Sequence, residues 1–297
     1  MNQCILGIDA GATKTLGLLK CLNTGQSWSA VSGPGSLSSD ISTTCQNIGK
    51  VAKELLSLGN CSAAETLLVC GAAGTTNIES KNSLKKALQE MHFVKPIITT
   101  DAQTSLYGAG NGAPIIVIAL GTGSVAMRLD TSGCEKQFGG WGLAVGDQAS
   151  GAYIGRAAIT SILLEYDKDD FVADRFMTEM FTIIGDNKQK ISSWLTNATT
   201  TKFAELAPIV FSSTSRSKIA RDIMKKAVTD VESLIVSAQG DNRLPVCLIG
   251  GLAQTIYPLL SADLRSRIIP AKGNAVNGAI YLGEQFLNLN NKTNRLL

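Results

Sequence analysis

Leu6-Gly7-Ile8-Asp9-Ala10-Gly11-Ala12-Thr13-Lys14-Thr15 runs from an apolar strand into a glycine turn, and the apolar residues Leu16 to Leu19 follow it. The pattern predicts a hairpin whose backbone N–H groups and hydroxyls can close around phosphate oxygens. The same design returns at Ile118-Ala119-Leu120-Gly121-Thr122-Gly123-Ser124, with Val125 to Leu129 as its second strand. One such turn is a weak signal. Two, opening successive halves of one chain, predict a duplicated nucleotide clamp and hence phosphoryl transfer.

Around these turns, apolar strands alternate with amphipathic helices. Cys4 to Ile8, Leu67 to Cys70, Pro96 to Thr99, Ile115 to Leu120 and Val246 to Ile249 read as strands. Ile41, Cys45, Ile48, Ala52, Leu55 and Leu56 recur at helical spacing, and Ile219 to Ala238 and Ala275 to Leu287 read as longer helices. This alternation predicts an α/β fold with a sheet in each half. The plan restarts near Gly108 to Pro114, which sets domains at 1–110 and 111–297. The second carries a helical insertion, and its last helix is a candidate to pack back on the first domain. Asp167 to Ser215 shows no period that orders it. In sheets of this class ligands sit at the carboxyl ends of the strands, where both turns and Asp101 fall.

Composition narrows the function. A chain of 297 residues has room for two cores, and 44% hydrophobic with 17% charged residues describes a compact fold. The net charge of +3 is too small and too dispersed to favour nucleic acid or membrane surfaces. No apolar run reaches the length of a membrane span. The N-terminus enters a strand without a secretory leader, which predicts a cytoplasmic protein. The 7 cysteines are scattered without a CxxC pair and there is 1 histidine, which predicts reduced, structural thiols and no zinc site.

Asp9 ends a buried strand beside the first turn, a natural place for a carboxylate that holds Mg²⁺ directly or through water. It could equally organise the turn, as Asp often does. Thr13, Lys14 and Thr15 are candidates for the nucleotide phosphates. Asp101, where a strand gives way to a helix, is the candidate general base, and its competing role is an N-cap. Asp147 follows a glycine loop and can accept bonds from a pair of sugar hydroxyls, with Trp141 as an apolar face. Helix capping and core packing are the alternatives for these two. His92 reads as structural. Gly108-Ala109-Gly110-Asn111-Gly112-Ala113 fits GxGxxA, yet a helix precedes it and a strand follows, the reverse of a dinucleotide site. Neither GxxxxGK[ST] nor GxSxG occurs.

The order of Gly7 to Thr15, Thr100-Asp101-Ala102, Leu120 to Ser124, Gly139-Gly140-Trp141-Gly142 with Gly146-Asp147, and Ile249-Gly250-Gly251-Leu252-Ala253 resembles the N-acetylglucosamine kinase group. That group belongs to the BadF/BadG/BcrA/BcrD-type ATPases of the actin–hexokinase–Hsp70 superfamily, and the likeness spans nearly the whole chain. It implies two ribonuclease-H-like domains around an interdomain cleft. It assigns Gly11, Ala12, Thr13 and Lys14 to the first phosphate motif, Gly121, Thr122, Gly123 and Ser124 to the second, and Gly250 and Gly251 to adenosine. It further implies that Asp101 deprotonates the 6-hydroxyl of an amino sugar, most often N-acetylglucosamine, with ATP as donor and Mg²⁺ as cofactor. Gly35, Ser36, Ala73, Gly74, Trp141, Gly142 and Asp147 would line the sugar, and a homodimer is implied. Two departures bear on which hexosamine is used, including glucosamine and N-acetylgalactosamine. The loop reads Gly35-Ser36-Leu37-Ser38-Ser39, without the Asn common in relatives, and Gln148-Ala149-Ser150 stands where relatives have Glu-Gly-Ser. A partner-activating ATPase would need paired cysteines for an iron–sulfur cluster, and none stands near Cys134 or Cys247 in sequence.

Overall fold

The computed structural model describes residues 4–37, 40–168, 170–240 and 243–293. In chain order the elements are β1 (Cys4–Ala10), β2 (Thr15–Cys21), β3 (Ser27–Ser32), α1 (Ile41–Leu58), β4 (Thr66–Ala72), α2 (Ile78–Glu90), β5 (Ile97–Thr99) and α3 (Asp101–Gly110). Then come β6 (Ile115–Leu120), β7 (Ser124–Leu129), β8 (Glu135–Gly139), α4 (Gly151–Tyr166), α5 (Arg175–Ile184), α6 (Lys188–Thr196), α7 (Thr200–Ala204), α8 (Ala207–Ser213) and α9 (Lys218–Gln239). The chain closes with β9 (Val246–Ile249), α10 (Ala253–Ile256), α11 (Ala262–Arg265) and α12 (Ala275–Thr293). Two compact units result, residues 1–115 with 270–297, and residues 116–269. The cut lies near the boundary read from the sequence, and the chain from Pro270 onward returns to the first unit. Among the described residues no helix is long and apolar enough to cross a membrane.

The first unit is built on a sheet of order β3-β2-β1-β4-β5. β1 pairs antiparallel with β2 and parallel with β4, and β4 pairs parallel with β5. Strand alternation sorts side chains between two layers. Leu6, Ile8, Ala10, Leu68, Cys70 and Ala72 pack with Ile48, Val51, Leu55, Leu84 and Leu88 of α1 and α2. Ile5, Leu67 and Val69 point the other way, against Ala279 and Ile280 of α12. Asp9 and its cross-strand neighbour Gly71 share this second face by register.

The second unit repeats the core of that plan with a sheet of order β8-β7-β6-β9. Its β6 pairs parallel with β9, and Ile268 adds an isolated bridge to Val246. The region from Asp167 to Ser215 folds as α5 to α8. These short helices bury Phe176, Met180, Ile184, Ile191, Leu206 and Val210 in one core with α4 and α9. β3 and β8 escaped the sequence reading because both are edge strands with polar, half-exposed residues.

Candidate active site

In the first unit the expected residues gather at the carboxyl end of β1. Gly11 N–H donates to the Lys14 carbonyl at 3.0 Å and closes the hairpin turn, leaving Ala12, Thr13 and Lys14 exposed. The following loop is stitched to this end of the sheet. Gly35 N–H donates to the Gly11 carbonyl at 2.8 Å, and Leu37 N–H donates to the Ala73 carbonyl at 2.9 Å. Ala73 N–H in turn donates to the Ala10 carbonyl at 3.1 Å. Gly35 has to be glycine, because a Cβ there would stand 2.5 Å from Thr15 Oγ1 and 2.8 Å from Ala10 Cβ. Gly11, Gly35, Ser36, Ala73 and Gly74 are therefore brought together. Ser38 and Ser39 of the same loop lie outside the described residues.

Asp9 and Asp101 meet here through the packing of α3. Gly71, beside Asp9 in the sheet, has no side chain, and Thr104 of α3 settles into that space. The Thr104 hydroxyl bonds back to the Asp101 carbonyl at 3.0 Å, which fixes the first turn of the helix over the strand ends. Thr100, not Asp101, caps α3, its hydroxyl accepting from Gln103 N–H at 3.0 Å. The N-cap alternative for Asp101 thus falls away. One of its carboxylate oxygens accepts from its own neighbour's amide, Ala102, at 2.9 Å. Burial pushes the Asp101 carboxyl above its ordinary value, with these local amides opposing. Asp9 is pushed up to about 6, first by burial and then by the charge of Asp101, while Lys14 pulls it down. A cation would relieve this repulsion, and an oxygen-only pair suits a hard divalent ion such as Mg²⁺.

A Cβ at Gly71 would overlap the Thr104 side chain, so Gly71→Ala should lift α3 and carry Asp101 with it. We expect a loss of about 1–3 kcal/mol in chemical denaturation and a lower kcat. Thr104→Ala in the same chain should restore part of both, a coupling that a double-mutant cycle reads directly.

The second unit assembles its own group at the ends of β6 and β9. Gly121 N–H donates to the Gly123 carbonyl at 2.9 Å, and Gly151 N–H at the start of α4 donates to the Gly121 carbonyl at 2.8 Å. Gly250, at φ 93°, lies so close to the Leu120 carbonyl that any Cβ would collide with it. Leu252 N–H donates to that same carbonyl at 3.0 Å. The glycine pair Gly250 and Gly251 is thereby fixed next to the Gly121–Ser124 turn.

Asp147 is 8% exposed and adopts φ 56°, a left-handed conformation that Asp tolerates better than most residues. Its carboxylate accepts from Gly142 N–H at 3.2 Å and from the Ser124 amide, and it would lie 2.8 Å from a Cβ on Gly123. Desolvation pushes its carboxyl up while these two amides pull it down. Ser150 caps α4 instead, accepting from Tyr153 N–H at 3.1 Å. The carboxylate ties the phosphate-type turn to the Gly139–Gly142 loop, a duty the sequence did not reveal. Trp141 is 77% exposed, so core packing is not its role. Ala149 holds φ 63°, a conformation costing about 1–2 kcal/mol for an L-residue.

Comparison with known proteins identifies the family and the fold. Residues 6–283 match the BadF/BadG/BcrA/BcrD ATPase family. An N-acetylmuramic acid/N-acetylglucosamine kinase of Clostridium acetobutylicum is 24% identical, over 96% of this chain and 90% of that protein. The glucosamine kinase GspK of Vibrio cholerae is 23% identical over 94% and 95%. A solved protein of Chromobacterium violaceum with the provisional name N-acetylglucosamine kinase superposes with a TM-score of 0.86 at 28% identity, covering 94% of this chain and 98% of its own. A dehydratase activator of Clostridium difficile with bound ADPNP and a filament-forming MreB of Spiroplasma citri share the fold at TM-scores of 0.53 and 0.52.

Proposed function

The chain belongs to the BadF/BadG/BcrA/BcrD ATPase family, and on that footing we propose that it is an ATP-dependent amino-sugar kinase acting on the 6-hydroxyl of N-acetylglucosamine. The observation that carries the reading is Asp101. It is half-buried, relieved of capping by Thr100, and under the electrostatic influence of a second carboxylate, Asp9. The named relatives support an amino sugar as acceptor, since two of those that span this chain are kinases of N-acetylglucosamine with N-acetylmuramic acid, or of glucosamine. The ADPNP bound to the dehydratase activator and the AMPPNP bound to the MreB support ATP as donor.

The roles follow from chemistry that asks the protein for positioning and charge. Asp101 accepts the proton of the attacking hydroxyl, while a sugar oxygen–phosphorus bond forms and the β–γ bridge of ATP breaks. The Gly35–Ser36 loop and Ala73–Gly74 present backbone groups to the sugar in the first unit. In the second, Gly121 to Ser124 hold phosphate oxygens, Gly250 and Gly251 take the adenosine, and Trp141 and Gly142 flank the sugar. Asp147 offers its remaining lone pairs to sugar hydroxyls while keeping that loop in place. Asp9, directly or through water, is the group that would hold Mg²⁺, which when bound would neutralise charge on the nucleotide's phosphates.

The test is a coupled ADP-release assay with Mg-ATP against glucose, glucosamine, N-acetylglucosamine, N-acetylgalactosamine and N-acetylmuramic acid. The highest kcat/KM is expected with N-acetylglucosamine. A preference for glucosamine would move the substrate within the class. ATP hydrolysis indifferent to every sugar would overturn the kinase reading.

A further inference from the structure

Three of the cysteines that look unrelated in sequence converge in the first unit. Cys4 is the first residue of β1, and Cys21, the last of β2, is its direct cross-strand partner. Cys61 arrives from the end of α1, where the chain turns at Gly59 and Asn60, the latter at φ 48°. The Sγ atom of Cys4 lies 2.7 Å from that of Cys21 and 2.7 Å from that of Cys61, and the third side of the triangle is 3.7 Å. Cys4 is buried, whereas Cys21 and Cys61 are half-buried. Cys61 Sγ also lies 3.2 Å from the Gly59 carbonyl oxygen.

We propose that these three side chains form a site for a thiophilic closed-shell metal ion, with Zn²⁺ as its representative. Two of the contacts are too short for independent thiols and too long for a disulfide, whose sulfurs stand about 2.05 Å apart. A disulfide would use only two of the three groups, and all three face one point. Around a tetrahedral ion at about 2.3 Å from each sulfur, neighbouring sulfurs stand about 3.8 Å apart. The Cys21–Cys61 edge already has that length. Cys4 has only to withdraw by about 1 Å from each partner to complete the triangle. All-sulfur donors select soft ions over Mg²⁺. A fourth position is left for water or the nearby Gly59 carbonyl.

Asp9 lies five residues further along β1, about 17 Å from Cys4 at strand rise, so this site is separate from the carboxylate pair. Its place suggests a clip. It would join the end of α1 to the open end of the β1–β2 hairpin, whose strands are already paired there. Binding replaces three thiol protons with one ion, so three protons leave for each metal taken up. The inference stands whether or not the chain is a sugar kinase.

The experiment uses the full chain, reduced with a phosphine and stripped by a chelator, then titrated with Zn²⁺ against a competing indicator. One equivalent per chain should bind, with proton release that scales with the buffer's ionisation enthalpy and a rise in Tm. Co²⁺ should give a thiolate-to-metal charge-transfer band. Cys21→Ser and Cys61→Ser, at half-buried positions, should each weaken binding more than about tenfold while keeping the native circular dichroism. Cys134→Ser, at an exposed cysteine, should change nothing. Zinc uptake equal in wild type and in both variants would overturn the proposal. So would reduced protein that takes up no metal, and oxidised protein carrying a mapped Cys4–Cys21 or Cys4–Cys61 disulfide would then make the trio a redox pair.

Discussion

Asp101→Asn is expected to lower kcat by about 10²–10⁴-fold while the KM values for sugar and ATP move little. The amide keeps the size of the carboxylate and can still accept from Ala102 N–H. The helix does not depend on it, since Thr100 supplies the cap of α3. Partial burial raises the proton affinity of this carboxyl, so neutralising it should leave Tm unchanged or slightly higher. Loss of activity with retained stability separates a base from a structural group. Thr100→Ala is the matched control. It removes the cap, should cost about 1 kcal/mol of stability, and should reduce kcat less than Asp101→Asn does. Initial rates and thermal melts of the two variants make the comparison. A kcat within tenfold of wild type in Asp101→Asn would remove the residue from the reaction.

The hairpin turns, the buried parallel strands and the long helices were legible in the sequence because each follows a local rule. Apolar runs end in glycine turns, and α1 and α9 repeat their apolar residues at helical spacing. Asp101 was legible for the same reason, standing where a strand passes into a helix. The cap at Thr100 was not separated from it, since both residues are good caps and only the bond to Gln103 distinguishes them. Gly71 carried no signal at all: its meaning comes from Thr104, more than thirty residues away, packing into the space it leaves. The double duty of Asp147 is of the same kind, a side chain bound to amides from two different loops. The cysteine triangle draws on residues separated by 17 and 57 positions from Cys4, with no motif to announce it. Edge strands β3 and β8 lacked the apolar alternation that buried strands must have. Local chemistry was readable; convergence was not.

Asp9→Asn should abolish turnover and stabilise the metal-free protein at once, a pairing that few mutations give. The sign follows from where the proton sits. The carboxyl titrates near 6 in the folded chain against 3.8 when unfolded, because burial and the Asp101 charge both oppose ionisation. Between those values the folded state holds a proton that the unfolded state has lost. Stability of the metal-free chain therefore falls as pH rises through that window and levels off above about 6. The cost at neutral pH is on the order of 2–3 kcal/mol, shared with Asp101 because two coupled carboxylates titrate as a pair. Asparagine removes the cost, so Asp9→Asn without Mg²⁺ should melt several degrees higher than wild type at pH 7.5 and no higher at pH 4. Adding Mg²⁺ with nucleotide should reverse the order, since only the wild-type carboxylate gains from the cation. Activity should show the opposite pH trend to metal-free stability, with wild-type kcat/KM falling on the acid side as Asp9 takes up its proton. Melts at two pH values, each with and without Mg²⁺, decide the matter. If the metal-free variant is no more stable than wild type at pH 7.5, Asp9 is not the strained carboxylate of this site. If it also retains turnover, the cation is held by other groups.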